Sequence, residues 1–175
     1  MTDDSDQPKD NGNAVLKDAL AEAQVTVRAY DTKAQIVGVG YILAMGIIAR
    51  IENLFVKTGD VDLLRIAIAW IVVMVPILLF GFVLYPSRKT APKVAEDADE
   101  RVQHVLYVRS SYHPTVSDLK RAARSASYID ELAFEVLSVS GLRDLKRQRF
   151  LRALFAAGAS FVLLFASQAV RAIAQ

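Results

Sequence analysis

IAIAWIVVMVPILLFGFVLY, residues Ile66–Tyr85, decides the fold. The stretch carries no charge, and drawn on a helical wheel it leaves no polar face. A helix of a soluble bundle keeps a polar stripe for water. A helix crossing a hydrocarbon core about 30 Å thick instead needs roughly 20 apolar residues all round. Two further stretches share the property: Ala34–Ala49, longer if Arg50 snorkels to the interface, and Ala153–Val170. The reading is an all-α membrane protein with three transmembrane helices, spanning about residues 34–51, 64–85 and 150–171, whose long helices extend into the cytoplasm.

Composition points the same way. Of 175 residues, 53% are hydrophobic and 23% charged, and the charges crowd the segments between the spans. Outside the spans about 120 residues remain, divided among several segments, which is little for a soluble enzyme domain. The absence of cysteine excludes disulfides and thiolate chemistry. A net charge of +2 reflects a near balance of signs and is no nucleic-acid signature. Residues 1–13, MTDDSDQPKDNGN, read as a disordered acidic N-terminus rather than a basic, then apolar, signal segment.

Lys and Arg beside the spans set orientation. Arg88, Lys89 and Lys93 follow the second span, and Arg143, Lys146, Arg147, Arg149 and Arg152 precede or enter the third. The connection at 52–63 has fewer, diluted by Glu52, Asp60 and Asp62, and reads as a short periplasmic loop. The N-terminus and the region 86–149 are therefore expected in the cytoplasm.

Val15, Leu16, Ala19, Leu20, Ala23, Val27, Tyr30 and Ala34 recur at helical spacing. With Asn13 as an N-cap, a single helix from 14 to 51 is expected, roughly 57 Å long and so longer than a bilayer is thick. Its first part, 14–33, is an amphipathic cytoplasmic helix. RVQHVLYVR, 101–109, admits either a strand or a helix, the helix fitting slightly better. Thr115 opens a helix with Asp118 as capping partner, and an apolar stripe from Leu119 through Ala126 to Leu137 continues toward the third span. Ala34-xxx-Gly38, Gly40-xxx-Ala44, Ala153-xxx-Ala157 and Ala156-xxx-Ser160 are spacings that let membrane helices approach closely.

Catalytic patterns are absent. His104 and His113 stand in no HExxH, and there is no GxxxxGK[ST], GxGxxG or GxSxG. The reading is not an enzyme, with no cofactor and no metal site. The notable polar cluster is Arg28-Ala-Tyr30-Asp31-Thr32-Lys33-Ala34, where the first helix meets the headgroups. Asp31 calls for a cation, and Lys146 or Arg149, at the equivalent depth before the third span, would serve. The pair would be a structural tie or part of a basic pocket. Arg28, Asp31, Lys33, Tyr107, Arg109 and Lys146 are the candidate ligand-binding residues, with Tyr112 and Arg124 nearby. Arg gives bidentate phosphate contacts and Tyr a stacking face.

Asp31-Thr32-Lys33-Ala34 before the first span resembles the D-T-K-A signature of the Pycsar transmembrane effector family. Tyr85-Pro86 closing a two-span hairpin, then Leu106-Tyr107, and YIDELAFEVL at 128–137 leading through Leu145-Lys146 into a last span, resemble it in the same order. The resemblance covers about residues 20–170. It implies a bacterial antiphage effector of the inner membrane, activated by a cyclic pyrimidine mononucleotide, cUMP or cCMP, from a partner pyrimidine nucleotide cyclase. Such an effector compromises the membrane, and a homo-oligomer in the lipid bilayer is expected. Relatives fused to a phosphohydrolase differ from this chain, which carries no recognisable cyclic-nucleotide-binding domain either. The competing reading is a membrane scaffold that recruits a cytoplasmic partner, with no small ligand and no leak.

Overall fold

A computed structural model describes residues 7–51, 63–85, 102–106 and 112–173. Among these the protein is all-helical: α1 (Gln7–Ile51), α2 (Leu63–Leu84), α3 (Val116–Ser125) and α4 (Tyr128–Ile173). Three of them, α1, α2 and α4, are long and apolar enough to cross a membrane. With 45 and 46 residues, α1 and α4 are each close to 70 Å long, more than twice a hydrocarbon core.

The contacts divide the chain into two units. One comprises Met1–Arg28 and Ser87–Leu145, the other Ala29–Pro86 and Lys146–Gln175. Both α1 and α4 contribute to each unit without a helix break.

The second unit packs three apolar seams. Ala34, Gly38, Tyr41 and Met45 on α1 are buried, as are Ala153, Ala157, Ser160 and Leu164 on α4. Each set steps by four, three and four residues, the stripe one helix presents to neighbours. Pro76, Phe80 and Val83 complete the core from α2. At Gly38 an added Cβ would stand 3.3 Å from Phe80 Cβ, so the approach of α1 to α2 depends on that glycine. Ile36, Leu43, Ile71, Leu78, Phe155 and Val162 are exposed on the outer faces, as lipid-facing residues are.

Inside this apolar bundle the Tyr41 hydroxyl lies 2.8 Å from Ser160 Oγ and donates to the Val73 carbonyl at 3.4 Å. Pro76 leaves the Val72 carbonyl without its helical donor, and the Tyr41 hydroxyl reaches the next carbonyl along, that of Val73, from α1. One tyrosine thus joins all three spans.

Three expectations need correction. Helix α1 starts at Gln7, ahead of the Asn13 cap and within the segment read as disordered, because Pro8 falls in the first turn, where no intrahelical N–H bond is lost. The stripe beginning at Thr115 is two helices rather than one. Ala126 is extended, with ψ 155° at the opening Thr115 and ψ 135° at Ala126, and the Ser127 carbonyl accepts the first bond of α4 from the Glu131 N–H at 3.0 Å. Ser127 with Asp130 three residues on has capping-box spacing, a stronger start signal than the unbroken stripe. Finally, Val102–Leu106 is neither helix nor strand. The Thr115 cap itself is as expected: its Oγ1 accepts from the Asp118 N–H at 3.2 Å and donates to Asp118 Oδ2 at 2.6 Å.

Candidate functional site

In the second unit, Asp31 and Lys146 form an ion pair between Oδ1 and Nζ. The Lys146 side chain is 7% exposed and that of Asp31 34%, so the ammonium is withdrawn from water and its carboxylate partner is wetter. A buried ammonium needs such a partner. Lys146 stands seven residues before Ala153, and Asp31 three before Ala34, so the pair sits next to the buried seams of α1 and α4. Tyr30 and Phe150 flank it with ring centroids 6.1 Å apart. Arg149, the alternative partner for Asp31, instead donates to the Phe82 carbonyl at 3.3 Å and lies 5.5 Å from the centre of the Phe82 ring. Lys33 is exposed and lies 5.8 Å from the Tyr30 ring centre.

Of the other candidate ligand residues, Arg28 belongs to the first unit and is exposed. Tyr107 and Arg109 lie outside the described residues. Tyr112 stacks on His104 with centroids 4.6 Å apart, and Arg124 is exposed in the last turn of α3.

The first unit contains two features absent from the sequence reading. Glu131, 3% exposed, takes the backbone N–H groups of Gln103, Val105 (2.8 Å) and Leu106 (3.4 Å) on its carboxylate. This is why Val102–Leu106 forsakes regular structure: its amides bond to a side chain on α4. His104 takes the left-handed φ of 53° between them, a conformation histidine adopts more often than most residues. Its ring lies edge-on to Phe134 at 4.9 Å, and His113 Nε2–H donates to the Gln103 carbonyl at 2.8 Å. Both histidines therefore brace the segment.

Beside this clip runs a groove of about 350 Å³ between α1 and α4. Lys17, Leu20, Ala21 and Gln24 line it from α1, and Tyr128, Leu132 and Glu135 from α4, with Leu106 also on its wall. Lys17 Nζ stands 5.4 Å over the Tyr128 ring. Glu135 is 7% exposed. A cation, an aromatic face, an amide and a buried carboxylate thus converge on one concavity, as polar groups do in small-molecule sites.

Residues 15–173 match the Pycsar effector protein domain, PycTM. The chain belongs to the Pycsar effector family. No curated protein and no solved structure matches it.

The Pycsar effector family match covers the whole architecture, running from the early turns of α1 to the end of α4. Membership implies an effector activated by a cyclic pyrimidine nucleotide in antiphage defence, and with three candidate spans the protein is a membrane protein. The D-T-K-A run divides by helix face. Asp31 and Ala34, three residues apart, both turn to the interior, one paired with Lys146 and the other 1% exposed, while Thr32 and Lys33 are exposed. The groove was open to discovery from spacing. Lys17, Ala21 and Gln24 on α1, and Tyr128, Leu132 and Glu135 on α4, each follow a step of four and then three. What sequence cannot give is that these two faces meet.

Proposed function

We propose that this Pycsar effector is an inner-membrane protein whose cytoplasmic helices bind a cyclic pyrimidine nucleotide, cUMP or cCMP, and whose spans then impair the membrane. The observation that carries the reading is the continuity of α1 and α4: each belongs to both units without a helix break. Ligand bound to the first parts of these helices changes the packing they prefer. The same two helices carry Asp31, Lys146 and the seams beyond, so the preference passes along them. Only a difference in affinity between two packings can do this. Moving the protein from about 1% to about 99% active requires the ligand to bind the active packing roughly 10⁴-fold more tightly.

The action is mechanical rather than catalytic. The uncharged interiors of the three spans offer no polar path alone, so the leak forms in a homo-oligomer. Gly40, Gly46 and Gly158 support this, since an added Cβ at each meets nothing within 4 Å, and small residues on a lipid face let a second copy's backbone approach. Cytoplasmic placement of the first unit follows from the Lys and Arg on the flanks of the spans. A pyrimidine nucleotide cyclase is the functional partner.

Co-expression with a uridylate or cytidylate cyclase tests the reading in cells. The expected result is uptake of a membrane-impermeant dye and growth arrest that require both proteins. Normal growth and dye exclusion, with the effector present in the membrane and the cyclic nucleotide accumulating, would return the argument to a scaffold.

A further inference from the structure

We infer that the groove between α1 and α4, rather than the basic rim at Asp31 and Lys33, is the seat of the cyclic mononucleotide; the inference rests on the function proposed above. Its volume of about 350 Å³ falls at the small end of ligand pockets, the size for one nucleotide rather than a dinucleotide. The chemistry is matched part by part. Lys17 Nζ, 5.4 Å over the Tyr128 ring, holds a cation and an aromatic face side by side, as a phosphate and its base require. Lys17 is exposed, and its flexible stem lets the ammonium turn to a phosphate while the base takes the ring face. Glu135 is an acceptor only, suited to a ribose 2′-hydroxyl or a base N–H. Gln24 offers a donor and an acceptor together, the pattern on a pyrimidine's hydrogen-bonding edge.

Charge adds selectivity. Among the described residues Lys17 is the one cation on the groove's lining, which suits a cyclic phosphodiester with its single negative charge. A nucleoside triphosphate would bring several negative charges to a groove with one cation. The rim is poorly suited by comparison. Asp31 and Lys146 already satisfy each other, and Lys33 is exposed on another face of α1. The groove is also coupled to its surroundings: Leu106 on its wall hangs from Glu131, so a ligand pressing on Leu106 bears on the clipped segment.

The experiment is calorimetry on the full chain in nanodiscs, with 3′,5′-cyclic UMP, 3′,5′-cyclic CMP and UTP as probes. The expected result is binding of at least one cyclic pyrimidine, weakened about tenfold or more by Tyr128→Ala, the fold-change that loss of base stacking brings. Lys17→Ala weakens it similarly, Tyr128→Phe keeps most of the affinity, and UTP binds far more weakly. Both alanine variants alter exposed side chains, and unchanged helicity by circular dichroism verifies the fold. Wild-type binding that survives Lys17→Ala and Tyr128→Ala, or that Lys33→Glu alone abolishes, overturns the groove and leaves the proposed function standing. A wild-type protein that binds neither cyclic pyrimidine overturns the proposed function, and the groove with it.

Discussion

Asp31 and Lys146 meet from positions 115 residues apart, and the energetics of that pair are one-sided. Asp31→Ala leaves an ammonium that is 7% exposed without its carboxylate. Losing one member of a fully buried pair costs about 3–5 kcal/mol, and partial access of water to Asp31 reduces the expectation here to roughly 1–3 kcal/mol. Adding Lys146→Met to Asp31→Ala should restore most of the loss, because the orphaned charge is gone. Thermal unfolding of the four proteins in detergent checks this cycle; a double variant as unstable as the sum of the singles would deny the pair. Glu131 makes a second residue-scale prediction. In Glu131→Ala the amides of Gln103, Val105 and Leu106 lose their acceptor, and their hydrogen exchange should quicken by an order of magnitude or more while α4 stays protected.

The spans α1, α2 and α4 are close-packed at some glycines and open at others. Gly38→Leu forces a side chain into Phe80 and should destabilise the protein by about 1–3 kcal/mol, the usual range for overpacking. Gly40→Leu, two residues on and facing open space, should stay within about 0.5 kcal/mol in the monomer. Equal losses in unfolding midpoint at the two positions would contradict this packing. The same contrast shows what the sequence could yield. Apolar length was enough to find three membrane helices, because a bilayer demands a run of about 20 residues whatever the neighbours do. The Thr115 cap was legible because its hydrogen bonds are local. The spacings Ala34-xxx-Gly38 and Gly40-xxx-Ala44 look alike as text, yet Ala34 and Gly38 are buried while Gly40 is exposed. Val102–Leu106 was illegible for a related reason: its backbone donors end on Glu131, about 25 residues away, and no local propensity encodes that acceptor. The Asp31 partner was within reach, since charge and depth narrowed it to Lys146 or Arg149, and contact distance chose the first.

At the scale of the whole molecule, α1 and α4 each contribute residues to both units, and under the proposed function they link ligand binding in one to the spans of the other. Under the proposed function the leak is conditional on the ligand. The most direct measurement is dye release from proteoliposomes holding the purified protein, challenged with cyclic UMP, cyclic CMP, cyclic AMP and cyclic GMP. Release with a cyclic pyrimidine, and silence with the purines, is the predicted result. Intact vesicles under every nucleotide, from protein shown to be folded and inserted, would contradict the claim that this Pycsar effector opens the membrane itself.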